Sequence, residues 1–485
     1  MKITGYLVWI ILYTASVCLG GGGDSVAASS TFSNRPPENT REPLSLEQVV
    51  GLALTNNSSL SAQRNALSSS ILSLASSRSD FAIQLSPLGR AGFSGGDDQE
   101  RQADYAAGIS MSRQFSVGSK VVLSPTVSRV ADGNDSAYRN SLGIQLTQPL
   151  FRGISHEYNL SPVRNAEFGV RSAQRRYFLS QVDIFIQTVS GFYNILLQGQ
   201  LVENRRQSVE RLEAFAQAAK IKRNIGLAEP EDEYRAVQQL KQAKDDMVSS
   251  EQALDLATDT LRELLNWPVS HLIQLAGDLS QEPIAVDEAE AVDSALENRI
   301  EIIEAEDLLR EKYRISINAK HRLLPELDIS FYYTPYGQDT SFDRASELTE
   351  SRWGISLSTS SDLFRRTEKA GYSRSLLDIE DAKRNLENVK DDIVREVRET
   401  IRNLHESDSR IELQKERAQQ AARQLEISRL KFKYGMTNNF DLIDAESVLS
   451  IARTNVENAK AQYLVGLYRL RAVMGTLLSF SEQAS

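Results

Sequence analysis

Tyr434-Gly435-Met436-Thr437-Asn438-Asn439-Phe440-Asp441-Leu442-Ile443-Asp444-Ala445-Glu446 opens a run in which small and apolar residues advance in steps of three and four. The stripe continues through Leu449, Ala452, Val456, Ala459, Tyr463, Gly466, Leu470, Val473 and Leu477. The same register stands 209 positions earlier, where Gly226 precedes Ala236, Leu240, Ala243, Met247, Ser250, Leu254, Ala257, Leu261 and Leu264. A 3,4 spacing keeps one stripe against a partner helix along the whole rod, and alternating Ala with larger residues lets the rods approach closely. The chain therefore reads as two related halves, each carrying a helical hairpin.

Outward from the two glycines, the helices that lead into them are long. No proline falls between Val163 and Glu229, or from Gly337 to the C-terminus, and Leu386, Val389, Ile393, Val397, Ile401, Leu404 and Ile411 form one stripe. A helix over Thr367 to Lys433 would be about 100 Å long at about 1.5 Å per residue. Gly226 and Gly435 suit the reversal because glycine tolerates the left-handed conformation at a helix end, and Glu229-Pro230-Glu231 and Asn438-Asn439 supply the next N-termini. Before each long helix the period changes to two. Leu142, Ile144 and Leu146 alternate with Gly143, Gln145 and Thr147, and Tyr105, Ala107, Ile109 and Met111 alternate with polar or small residues. Leu327-Asp328-Ile329-Ser330-Phe331 and Trp353 to Ser358 repeat the signal in the second half. These are strands with one apolar and one polar face.

The duplication reaches further. Ala53-Leu54-Thr55-Asn56-Asn57 corresponds to Ala295-Leu296-Glu297-Asn298-Arg299, Pro87 to Pro325, and Pro149-Leu150-Phe151-Arg152 to Asp362-Leu363-Phe364-Arg365. Between the last two pairs the offset shrinks, so the first half holds roughly 25 extra residues in its strand region. They form either an added hairpin around Tyr105 to Val130 or longer strands and loops.

Residues 1–28 read as a secretory signal peptide, with Lys2, an apolar run from Tyr6 to Leu19 and the small-residue stretch Val26-Ala27-Ala28. The one cysteine, Cys18, lies inside it; lipidation there is the alternative, although Val17 puts a bulky residue where a small one is expected. A mature chain without thiols suits an oxidising compartment. Residues 29–45, with Pro36, Pro37 and Pro43, read as an extended arm, and Ser45 can cap the first helix, which continues to about Ser79. The formal net charge of −10 offers no basic stripe for phosphates, which excludes nucleic acid as a partner.

Catalytic and cofactor motifs are missing. Gly92-Phe93-Ser94-Gly95-Gly96 matches the string of a hydrolase elbow, but the charged turn Asp97-Asp98-Gln99-Glu100 follows where a helix is required. His156, His271, His321 and His405 are scattered singly, without metal-ligand spacing. Neither an enzyme nor a cofactor or metal protein is expected. The informative polar residues are Asp441 and Asp444, three apart on one helix face at the second reversal. Capping and the helix dipole account for acids in a first turn. In a symmetric tube ending at this turn, the same acids would form a carboxylate ring able to select cations.

Gln148-Pro149-Leu150-Phe151-Arg152-Gly153, the Tyr434 to Glu446 turn and the duplicated hairpin together resemble the TolC-like outer membrane factors, over about Leu46 to Leu478. The resemblance implies a mainly helical TolC-like α/β-barrel of two tandem repeats, assembled as a homotrimer. Four strands per protomer would then build a twelve-strand barrel in outer membrane lipid, and long helices a periplasmic α-barrel. The repeats would span 46–268 and 290–478, with strands over 81–151 and 325–362, tips near 226 and 435, an equatorial linker at 269–289 and a tail at 479–485. The resemblance assigns Asp441, Asp444 and Tyr434 to a periplasmic gate. Arg235, which stands in the first hairpin where Asp444 stands in the second, is a candidate for bridging neighbouring hairpins. Gly226-Leu227 and Gly435-Met436 would dock a periplasmic adaptor, itself coupled to an inner-membrane transporter. The implied function is a passive exit duct for efflux or type I secretion, and the rival reading is a periplasmic coiled-coil scaffold without a pore. Ser361-Asp362, where the family keeps a proline, predicts a different second junction.

Overall fold

The computed structural model describes residues 43–96, 99–132, 135–226, 228–280, 286–360, 362, 364–434, 436–437 and 439–480. The expected signal peptide with Cys18 and most of the expected proline-rich arm lie outside them. The first helix is two helices, α1 (Leu46–Asn56) and α2 (Ser58–Ser79), and the sequence reading of one unbroken element is corrected. Asn57 breaks it. Its side-chain oxygen accepts from the Leu60 N–H at 3.1 Å, capping α2, while its Nδ2 donates to the Leu264 carbonyl at 2.9 Å.

Four strands follow, β1 (Gln84–Gly96), β2 (Gln99–Gln114), β3 (Lys120–Asp132) and β4 (Asp135–Pro149). Then come a short turn α3 (His156–Asn159), the long α4 (Ser161–Asn224) and its return α5 (Pro230–Leu264). The second half has α6 (Glu288–Asn298), α7 (Ile300–His321), β5 (Asp328–Asp339), a one-turn α8 (Phe342–Ala345), β6 (Glu350–Ser358), α9 (Arg366–Lys433) and α10 (Asn439–Val473). The 68 residues of α9 measure about 100 Å.

The strands form one antiparallel sheet in the order β1-β2-β3-β4-β5-β6. Six strands, rather than the four per chain that the resemblance implied, is a correction with a clear cause: the extra residues of the first half form an added hairpin that returns through Phe115–Ser119. Phe115 N–H donates to the Ser119 carbonyl at 2.8 Å, and Gly118 has φ +84°, a conformation that favours glycine.

Register sorts the side chains into two faces. Leu85, Met111, Leu123, Ile144, Tyr333 and Trp353 are successive partners across all six strands, and Arg113, Val121, Leu146, Phe331 and Ile355 form a neighbouring row on the same face. The rows between them are polar. Gln114, Lys120, Thr147, Ser330 and Ser356 form one, with Thr147 and Ser330 hydroxyls 3.1 Å apart, and Thr126 and Ser141 meet at 2.8 Å in another. The apolar face lacks a covering layer over much of its area: Leu85, Ile109, Trp353, Ile355 and Leu357 are exposed.

Both helical hairpins bury the stripe read from the sequence. Ala236, Leu261, Ala445, Leu449, Val456, Ala459, Tyr463 and Leu470 are buried, as are Ile393, Val397, Ile401, Leu404 and Ile411 on α9. The second junction turns through Arg365 at φ +48°. This is the departure expected where proline is replaced, and its guanidinium donates to the Leu323 carbonyl.

Candidate periplasmic tip and its supporting ion pairs

The ends of the two hairpins share one core. Val209, Leu212, Phe215, Ala216 and Ala219 of α4 pack with Ala236 and Ala243 of α5, Phe432 at the end of α9 and Leu442 of α10. Two polar ties lock the hairpins together across this core. The Lys222 ammonium lies 3.7 Å from the centre of the Phe432 ring and donates to the Phe432 carbonyl. From the other side, the buried Asn439 donates its Nδ2 to the Asp232 carbonyl at 2.6 Å. Each tie places a side chain of one hairpin on the backbone of the other, which fixes their relative height.

The expected site residues fall around this core. Gly226 has φ +77° and its N–H donates to the Arg223 carbonyl at 3.0 Å, so it makes the first reversal as read. Leu227 and Gly435 lie outside the described residues. Tyr434 closes α9 with its N–H on the Leu430 carbonyl at 3.1 Å, and Met436 follows with its N–H on the Lys431 carbonyl at 2.9 Å; their side chains are 71% and 76% exposed. Asp441 accepts from the Thr437 hydroxyl in the first turn of α10, and Asp444 is exposed one turn on. Arg235 binds Glu231 of its own helix at 2.5 Å. That partner stands one turn away on its own helix, not on α10. Ile221, Ile225, Tyr234 and Phe440 are also exposed here, so the tip is apolar at its end.

Below the tip, a group that spacing alone did not reveal joins the hairpins. Glu446 is 4% exposed, and it accepts from Arg211 at 2.7 and 3.0 Å and from the Ser208 hydroxyl at 2.9 Å. Its signal in the sequence is a carboxylate on the apolar stripe, four after Leu442 and three before Leu449, where the first copy has Val237. A second cluster lies under the sheet. Arg171 grips Asp307 at 3.0 and 3.2 Å, and Arg175, 2% exposed, binds both Asp307 and Glu304, which ties α4 to α7. Burial pushes the Asp307 carboxyl up, but hydrogen bonds from Arg171 and Arg175 outweigh it and hold its pKa below the ordinary value. At the junction of sheet and helices the Gly153 N–H donates to His321 Nε2 at 3.2 Å. Burial, and then the Arg152 charge, hold His321 below the usual histidine range. Among the described residues no cluster of His, Asp or Glu is arranged to hold a metal ion, and no helix is long and apolar enough to cross a membrane.

Residues 291–476 match the family described as outer membrane efflux protein. The outer membrane protein TolC of Escherichia coli is 22% identical over 388 residues, covering 73% of this chain and 76% of that protein. The Salmonella enteritidis TolC is 24% identical over 394 residues, with 73% and 75% covered. These matches bear out the resemblance to the TolC-like outer membrane factors. Solved relatives share the fold. The Campylobacter jejuni CmeC outer membrane channel superposes with a TM-score of 0.71 at 14% identity, over 90% of this chain and 87% of that one. The Neisseria gonorrhoeae MtrE outer membrane channel, in its open state, gives 0.67 at 14% identity, over 90% and 89%. The TolC relatives are outer membrane proteins and the solved neighbours are outer membrane channels, and among the described residues of this chain no side-chain arrangement points to catalysis.

Proposed function

We propose that three copies of this chain form the passive exit duct of a tripartite efflux or type I secretion system, receiving cargo from an inner-membrane transporter through a periplasmic adaptor. The observation that carries this reading is the sheet. Its apolar rows run across every strand on one face and its hydroxyl, amide and charged rows across the other, the pattern of a barrel wall between lipid and water. Backbone groups in lipid need partners, and an open sheet finds them only by closing with other copies. Helices of about 100 Å then carry the bore through the periplasm.

In this reading the exposed Tyr434, Met436 and Phe440, with Gly226, Leu227 and Gly435, meet the adaptor at the tips. Asp441 and Asp444, copied by symmetry, ring the entrance. Arg235 reaches a neighbouring copy when it exchanges Glu231 for an acid across the seam. The test is single-channel conductance of the detergent-purified mature protein in a planar bilayer, with its mass in detergent. Discrete cation-selective openings of a trimer, enlarged in Asp441→Ala/Asp444→Ala, support the duct and its acidic entrance. A soluble monomer without conductance would identify a periplasmic scaffold instead.

A further inference from the structure

We infer that the wall of this channel has eighteen strands, closed by pairing β1 of each copy with β6 of the next, rather than the twelve that four strands per copy would give. The inference rests on the channel reading above and concerns how wide its membrane part is.

Three observations carry it. First, the added β2 and β3 belong to the same two-faced wall as the rest: Met111 and Leu123 stand in one apolar row with Leu85, Ile144, Tyr333 and Trp353. A hairpin lying outside lipid would have no reason to continue that row.

Second, the added hairpin spans the full height of the sheet. Its inner turn returns to the helical end, where Asn159 Nδ2 donates to the Ser116 carbonyl at 3.0 Å and to the Gly153 carbonyl at 2.6 Å. Ser119 hydrogen-bonds the Gln148 side chain beside it. Gly118 is so close that a Cβ there would stand 2.1 Å from the Gly153 carbonyl oxygen. The turn is thus anchored to the same junction from which α4 descends, as a membrane-spanning pair requires.

Third, among the described residues the sheet ends in two edges, β1 and β6, that pair with no further strand of this chain. In lipid each edge would leave a row of backbone donors and acceptors without partners. With six antiparallel strands, β1 runs away from the helices and β6 runs back towards them, so a β1 edge set against the β6 edge of a second copy continues the alternation. At similar tilt, eighteen strands give a barrel about one and a half times as wide as twelve.

The experiment is a strand count by electron cryo-microscopy of the protein in nanodiscs, paired with disulfide cross-linking in outer membranes. Leu357→Cys on β6 is combined in turn with Leu85→Cys, Ala91→Cys and Phe93→Cys on β1, and separately with Leu123→Cys on β3, each single variant serving as control. The inference expects eighteen strands and a cross-linked ladder up to trimer from one of the β1 combinations. A trimer with twelve strands, or a ladder only from the β3 combination, overturns it and leaves the channel standing. A soluble monomer without conductance overturns the channel reading itself, and the inference with it.

Discussion

At the scale of single residues, the buried charges set the sharpest expectations. Removing Arg211 leaves Glu446 buried without its cation, and uncompensated burial of this kind costs about 3 kcal/mol. Arg211→Met therefore lowers the denaturant midpoint, whereas Arg211→Met/Glu446→Leu recovers most of the loss because no lone charge remains. An equal loss in both variants would mean that the pair contributes little beyond packing. Asp307 gives a pH dependence of definite sign. Its folded pKa lies below that of an ordinary aspartate, so the stabilisation is complete above the unfolded value and is lost as pH falls through the folded one. Acid unfolding followed by circular dichroism should begin at higher pH in Arg171→Gln than in the parent chain, since one of the cations holding the carboxylate is gone. These residues were hard to read in advance. An apolar stripe announces itself locally, but Arg211 and Glu446 are 235 positions apart, and a charge in a helix is ordinary until the partner helix is placed against it.

Among the elements, the duplication proves deeper than its repeated stripe. Asn57 hydrogen-bonds the Leu264 carbonyl, and its counterpart Arg299 hydrogen-bonds the Val473 carbonyl at 3.2 Å. Leu264 and Val473 are themselves repeat mates, so each half fastens the break in its leading helix to the end of its own hairpin. The stripe is tightly specified at Ala445, which is fully buried. Ala445→Leu overpacks the seam between hairpins and should lower stability by about 1–3 kcal/mol, seen as a lower melting temperature in detergent. For the sheet, face decides the outcome. Ile144→Arg puts a cation on the apolar face at a cost of about 2–4 kcal/mol near the bilayer midplane, while Gln145→Arg next to it should insert and fold normally. Heat-modifiable mobility on gels after outer membrane assembly distinguishes the two. The alternation of Leu142, Ile144 and Leu146 told which residues share a face, but a period of two does not count hairpins. That information lay in the turns, such as Ser116-Val117-Gly118-Ser119, which separates β2 from β3.

For the molecule as a whole, the fold followed from one repeated pattern, whereas the gate did not. Asp441 and Asp444 acquire a channel role only when copies are arranged around an axis, and one chain carries no axis. The corresponding expectation is that Asp441→Ala/Asp444→Ala leaves folding and trimer mass unchanged and raises conductance, with reversal potentials shifting away from cation preference; unchanged currents would reduce both acids to helix caps. The added hairpin acts on this scale too. In the proposed trimer, twelve helices packed side by side about 10 Å apart would describe a circumference of roughly 120 Å. Twelve strands about 4.8 Å apart, tilted by about 40°, close at roughly 75 Å, and eighteen at roughly 113 Å. With the additional pair, the perimeters of the two materials would nearly agree, so in the proposed duct cargo leaving the helical tube would meet no shoulder at the membrane, and its one narrow ring would be the proposed acidic entrance.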